Sequence, residues 1–205
     1  ELKTIFDSID MSTSLGLRNR LIIELLYATG IRVSELTSLE INNIDMSNQE
    51  IRILGKGSKE RIVFFGDYAK HYLNLYLNEA RPELLDKNKT NILLLNNSGT
   101  PLSSRGVELI VDEVVKKAAL KHNISPHVLR HTFATVLVNG HEKSDGSRVS
   151  LPIKQVADLL GHTTTCITER YYVKREPKHL IGITDDFLLW YNKRTSKVVK
   201  IQNKE

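Results

Sequence analysis

Six side chains of this 205-residue sequence are of types that, gathered at one point, handle a phosphodiester: Arg32, Lys56, His127, Arg130, His162 and Tyr171. Two guanidiniums clamp the non-bridging oxygens of a pentacoordinate phosphorus through bidentate hydrogen bonds. Donors placed in advance for such charge are worth roughly 3–4 kcal/mol each in a transition state. A phenol, with an ordinary pKa of about 10, becomes a useful nucleophile only when its proton is taken or its phenolate is stabilised. Nearby cations and an imidazole do both. A lysine ammonium supplies the proton that a departing alkoxide needs. Taken singly, each residue has a plainer reading: Arg32 as a surface cation, Lys56 as loop decoration, His162 as a helix cap, Tyr171 as a half-buried aromatic.

These residues stand at or near the ends of expected elements, where a fold can aim them. Leu17 to Ala28 reads as a buried helix, with Leu21, Ile22, Leu25 and Leu26 at helical spacing, and Gly30 stops it two residues before Arg32. A short helix follows through Val33, Leu36 and Leu39. The period then drops to two. Ile51–Leu54 and Arg61–Phe65 are expected strands, joined by a hairpin loop, Gly55–Glu60, that sets Lys56 between two glycines. A helix over 67–81 carries a stripe of Tyr68, Tyr72, Leu75 and Tyr76, read as core. The apolar run Ile92–Leu95, ended by Asn96-Asn97-Ser98-Gly99, is the candidate third strand.

Ser103 or Ser104 caps a helix from Arg105 to Lys121, with Leu109, Ile110 and Val114 inward. Ser125-Pro126 opens a helix from His127 to Val138 and puts His127 and Arg130 on one face, at i and i+3. Residues 140–151 are polar and read as a loop. Pro152 opens a helix with Ile153, Val156, Leu159 and Leu160, closed by Gly161 just before His162. Further helices are expected across Cys166–Tyr172 and Lys178–Asn192, the second bearing Leu180, Ile181, Phe187, Leu188 and Trp190. The fold class is mainly α with a small antiparallel β-sheet (α+β).

Composition narrows the setting. Hydrophobic residues at 40% and charged residues at 26% are the balance of an ordinary globular protein. No run approaches the roughly 18 apolar residues of a membrane span, and no signal peptide opens the chain. A single cysteine, Cys166, excludes an internal disulfide framework and a multi-cysteine zinc site, so a reducing cytoplasmic location is the expectation. The net charge of +5 decides little, because it is unevenly spread. Residues 1–173 hold 21 basic and 20 acidic side chains, whereas 174–205 hold 8 and 4. The chain also begins at Glu1 rather than methionine, as a processed product or a piece of something longer would.

At these residues the sequence resembles the catalytic domain of tyrosine recombinases, the phage-integrase and Xer-like group. The matching segments are Ala28-Thr29-Gly30-Ile31-Arg32-Val33-Ser34-Glu35-Leu36 and Gly55-Lys56-Gly57-Ser58-Lys59-Glu60-Arg61. They continue through Pro126-His127-Val128-Leu129-Arg130-His131-Thr132-Phe133-Ala134-Thr135 and Leu159-Leu160-Gly161-His162, and end at Tyr171. A lone His-x-x-Arg would say little; the family's order of Arg, Lys, His-x-x-Arg, His and Tyr says much more.

The resemblance implies that Arg32 and Arg130 bind the scissile phosphate and that Lys56 protonates the leaving 5′ oxygen. It gives His127 general acid/base work on the phenol proton, His162 support of the phosphate, and Tyr171 the attack that leaves a 3′-phosphotyrosine. It implies no cofactor and no metal. The implied partner is a double-stranded DNA recombination site, bound by a homo-tetramer on two duplexes, with the last helix packed on a neighbour or folded back in cis. The domain would span residues 1–190, followed by a basic tail over 191–205, with the family's N-terminal DNA-clamping domain absent from this chain.

Several points stay open at this level. Tyr171 and Tyr172 are adjacent phenols, and the spacing of nine residues after His162 favours Tyr171. Lys59, Arg61 and Arg105 are weaker candidates for DNA-backbone contacts, for which a solvated role serves as well. His131 lies four residues after His127, but no Glu stands between them in the His-Glu-x-x-His manner and no third ligand is evident. Between His131 and His162 the chain is longer than the compact family pattern, in the polar stretch at 140–151. A type IB topoisomerase uses the same chemistry, and a catalytically silent DNA-binding regulator keeps the same fold.

Overall fold

The fold is built around a helix that has no exposed face to spare. The computed structural model describes residues 2–55, 60–85, 89–120, 124–142 and 148–162. After α1 (Leu2–Asp7), helix α2 (Ser14–Thr29) buries Leu21, Ile22, Ile23, Leu25 and Leu26 almost completely. Apolar residues on consecutive positions cannot share one stripe, so such a helix must be covered all round. It starts where Thr13 accepts the Gly16 N–H at 3.0 Å and ends at Gly30, whose φ of 61° is the left-handed cap that glycine adopts without strain.

Around α2 pack α4 (Asp67–Leu75), a wider π-type turn (Tyr76–Ala80), α5 (Arg81–Leu85), α6 (Ser104–Lys117) and α7 (Pro126–Asn139). The short α3 (Val33–Thr37) follows Gly30 and lies against α6. Helix α6 turns Val107, Ile110, Val111, Val114 and Val115 inward at helical spacing, which leaves Leu109, expected inward, 52% exposed. It also stops at Lys117 rather than Lys121. The helix expected over 67–81 runs on through the π turn and α5 to Leu85.

Strands β1 (Ile44–Asp45), β2 (Glu50–Leu54) and β3 (Glu60–Phe64) form an antiparallel sheet in that order. Ile51, Ile53 and Val63 face the core. The pairing of Leu54 with Glu60 frames the hairpin loop that contains Lys56 and Lys59, both outside the described residues.

The third strand is therefore Ile44–Asp45 and not Ile92–Leu95. The latter run makes only isolated bridges, Glu40 with Ile92 and Leu95 with Pro101. Backbone bonds join it to Leu39 and Leu102, and side chains satisfy the groups these leave. Tyr76 donates its hydroxyl to the Leu93 carbonyl at 3.1 Å and accepts the Leu95 N–H, while Arg81 donates to the carbonyls of Thr90, Ile92 and Leu93. With Leu93, Leu94 and Leu95 all fully buried, the backbone needs such partners, and arginine and tyrosine provide them without opening the core.

The polar stretch read as a loop contains a short ladder, β4 (His141–Glu142) with β5 (Arg148–Val149). Helix α8 (Ile153–Leu160) then packs on α7 through Val156 and Leu160, which join Ala134 in a small second core. The helices expected over 166–172 and 178–192 lie outside the described residues. Among the described residues no helix is long and apolar enough to cross a membrane.

Gly30 joins the central helix to the residues considered next, and it has no room for a side chain. A Cβ there would lie 2.2 Å from the Phe133 ring as well as forcing an L residue to positive φ. Gly30→Ala is expected to destabilise the fold by about 2 kcal/mol or more, read as a lower urea midpoint at unchanged slope.

Candidate active site at the end of helix α8

The last turn of α8 closes tightly. Gly161, at φ 63°, donates its N–H to the Asp158 carbonyl at 3.0 Å, and His162 donates its N–H to Ala157 at 2.9 Å. This glycine-capped closure satisfies two of the orphan carbonyls at the helix end and fixes the backbone of His162. The next three carbonyls, those of Leu159, Leu160 and Gly161, remain to be satisfied. Each accepts from a different arginine. Arg61 donates Nε to Leu159 at 2.8 Å, Arg130 donates Nη2 to Leu160 at 2.6 Å, and Arg32 donates Nη2 to Gly161 at 3.3 Å. Cations at a helix C-terminus also meet the negative end of its dipole.

The three arginines come from distant parts of the chain. Arg130 sits on α7, whose start is set by Ser125 accepting the Val128 N–H and by Pro126 in the first turn. It is buried, and its Nη1 donates to the Gly30 carbonyl, tying α7 to the end of α2. Arg32 precedes α3 and keeps its side chain 42% exposed. Arg61, on β3, is 12% exposed.

Glu35 joins two of them. Its Oε1 accepts from Arg61 Nη1 at 2.9 Å and Arg32 Nη1 at 3.0 Å, and its Oε2 accepts from Arg61 Nη2 and the Arg32 N–H, both at 2.7 Å. Reasoning from sequence did not single out Glu35 as a site residue. Its signal is the Arg-x-x-Glu spacing at a helix start, where a carboxylate three residues on reaches back to the N-cap N–H.

Arg32, Arg130 and His162 thus meet at one point. His127 stands on α7 one turn before Arg130, exposed beside a cleft of about 370 Å³ that Arg105 also lines. Arg105 itself is outward and pairs with Glu108 at 3.3 Å. Arg61, a candidate for backbone contact, instead turns inward. Lys56, Lys59 and Tyr171 lie outside the described residues. Among the described residues no three His, Cys, Asp or Glu side chains group as a metal ion would need.

The electrostatics follow from the geometry. Burial, and then the charges of Arg130, Arg32 and Arg61, push the His162 imidazole down to about 4, so it is neutral at pH 7. Its Nε2 lies 3.4 Å from Arg130 Nη2, which can only donate, so this contact is a hydrogen bond in the tautomer that carries the ring proton on Nδ1. Burial pushes the Glu35 carboxyl up, but the hydrogen bonds from Arg61 and the Arg32 N–H, with the two positive charges, outweigh it and hold the group below its ordinary value. The site therefore concentrates positive charge around a neutral imidazole, which suits an anion with tetrahedral or trigonal oxygens.

Known proteins resemble this chain in sequence and in fold. The pattern of the phage integrase family matches residues 1–179. The tyrosine recombinase XerC of Staphylococcus haemolyticus is 43% identical over 171 residues, which cover 83% of this chain and 54% of that protein. The XerC of Bacillus pumilus is 46% identical over 174 residues, with the same two coverages. Among solved structures, XerA recombinase superposes with a TM-score of 0.71 at 27% identity, covering 90% of this chain and 62% of that one. The XerH site-specific recombinase bound to its difH substrate, in a pre-cleavage complex, gives 0.68 at 28% identity, covering 90% and 51%. The chain spans about half the length of the curated relatives it matches.

The two perturbed groups also set an acid limit on stability. Both hold fewer protons in the folded than in the unfolded chain, so stability rises with pH between their unfolded and folded values. The His162 contribution is complete above the ordinary 6.5 and is lost as pH falls toward about 4; that of Glu35 is complete above the ordinary 4.5 and is lost lower still. Thermal melts are expected to fall in two limbs on acidification. His162→Gln should flatten the upper limb only, and an unchanged upper limb in that variant contradicts the assignment.

Proposed function

The chain belongs to the phage integrase family, and from that premise we propose that it is the catalytic domain of a site-specific DNA recombinase that cuts and rejoins strands through a tyrosine. The observation that carries this reading is the convergence of Arg32, Arg130 and His162 on the end of α8, from segments about a hundred and thirty residues apart in the chain. The exposed fork of Arg32 and the braced fork of Arg130 bind the non-bridging oxygens of one backbone phosphate.

Tyr171 attacks that phosphorus. The bond from phosphorus to the phenol oxygen forms as the bond to the 5′ oxygen breaks; His127 takes the phenol proton and Lys56 delivers one to the departing 5′ oxygen. His162, already neutral, supports the phosphate without competing for the proton. The product is a 3′-phosphotyrosine with a free 5′ hydroxyl, and a 5′ hydroxyl from a second duplex reverses the step. One phosphoester replaces another, so the bond energy is conserved and neither a nucleotide nor a metal enters the balance.

The XerH neighbour is described as bound to its difH substrate, which supports duplex DNA as the partner here. Strand exchange between two duplexes calls for four copies. The segment 178–192, apolar at Leu180, Ile181, Phe187, Leu188 and Trp190, would link each to the next.

A nicked suicide duplex, which traps the covalent product, tests the chemistry. Wild-type protein is expected to form the adduct in excess EDTA; Tyr171→Phe should abolish it while DNA binding persists, and Tyr172→Phe should retain it. An adduct that survives in Tyr171→Phe but vanishes in Tyr172→Phe overturns the nucleophile assignment. Arg130→Lys keeps the charge but loses the fork, and cleavage at saturating DNA is expected to fall by about a hundredfold or more. A rate near that of wild type would remove Arg130 from the phosphate clamp.

A further inference from the structure

Arg61 lies at the foot of the β2–β3 hairpin, in the segment that also contains Lys56, yet all three of its nitrogens are engaged by partners within the protein. Nε is committed to the Leu159 carbonyl, and the two Nη atoms make a bidentate pair with Glu35 at 2.9 and 2.7 Å. Gly161 leaves the passage for it. A Cβ on Gly161 would lie 2.9 Å from Arg61 Nη1 and 3.1 Å from Cζ.

The charge balance gives this placement a purpose. Glu35 is a single buried carboxylate between two guanidiniums, and a bidentate fork with low exposure takes its charge more completely than a partly solvated one. With Arg61 in that fork, Arg32 reaches only one Glu35 oxygen through its side chain and spends its other Nη on Gly161. Without Arg61, the buried carboxylate would have one cationic partner left among the described residues, Arg32. It would draw both Nη atoms of Arg32 inward, neutralising the charge that a substrate phosphate needs.

We propose that Arg61 is a positioning residue for strand cleavage: it occupies Glu35 so that Arg32 keeps its charge for the phosphate, and it ties the hairpin to the end of α8. The inference rests on the proposed reading of the site as a phosphate-cleaving centre. Arg61 touches no substrate in it. Its effect passes through Glu35 and Arg32, which predicts that removing the carboxylate together with its counter-cation repairs much of the damage.

The experiment compares wild type, Arg61→Gln, Glu35→Gln and the double variant in two readouts: the rate of adduct formation on the nicked duplex at saturating DNA, and the His162 ring titration by NMR without DNA. Arg61→Gln is expected to slow adduct formation about tenfold or more, and the double variant to recover about threefold or more of that loss. The His162 midpoint, held near 4 by burial first and then by the charges of Arg130, Arg32 and Arg61, should rise in Arg61→Gln and return toward that value in the double variant. A wild-type rate in Arg61→Gln overturns the inference, and so does a double variant no faster than the single one or an unmoved His162 midpoint. A wild type that makes no adduct contradicts the functional reading instead, and the titration then decides the Arg61–Glu35 compensation alone. If Arg61→Gln does not fold, Arg61→Lys decides the matter: slower cleavage supports the inference, and cleavage at the wild-type rate overturns it.

Discussion

Helix α8 ends with three carbonyls that its own backbone cannot satisfy, and the rest of the site is arranged around that shortage. A glycine-capped closure uses Ala157 and Asp158, which leaves Leu159, Leu160 and Gly161 for outside donors. Three arginines from the hairpin, from α7 and from the turn before α3 supply them. A guanidinium is suited to this work because its several donors allow one edge to hold a carbonyl while another faces a carboxylate or an incoming anion. The same bonds that finish the helix therefore gather positive charge beside His162. Structural satisfaction and an anion site are one set of contacts.

That arrangement explains how a nearly neutral body can present a strongly positive point. The excess of basic residues lies in 174–205, while 1–173 is almost balanced. Local charge comes from the fold rather than from composition, because Arg32, Arg61 and Arg130 converge on one helix end with, among the described residues, a single carboxylate, Glu35, joined to them. The low exposure of Arg130 and Arg61 keeps their charges poorly screened, and the His162 imidazole is held down by its own burial first and by this field second.

Much of this is legible in the sequence because the residues sit where elements end. Gly30, Ser125-Pro126 and Gly161 mark those ends, and the helix bounds that they announce are the ones observed beside Arg32, Arg130 and His162. Arg61 carries a subtler signal: it shares the period-two face of β3 with the buried Val63, which points it inward. Leu109 likewise falls off the stripe formed by Val107, Ile110, Val111, Val114 and Val115. The run Ile92–Leu95 has the composition of a strand, but its backbone is satisfied by isolated bonds to Leu39 and Leu102 and by the side chains of Tyr76 and Arg81, partners that only tertiary packing brings near. The carbonyl acceptors of the arginines have no signature at all, since every residue carries one.

The proposed chemistry turns on the attachment of a DNA strand to one phenol. Trypsin cleaves after Arg170 and Lys174, so the covalent product digested with protease and nuclease yields a peptide, Tyr171-Tyr172-Val173-Lys174, that bears the nucleotide. Tandem mass spectrometry of that peptide is expected to place the phosphonucleotide on Tyr171. A phosphonucleotide on Tyr172, on another residue, or on no peptide at all would contradict the mechanism.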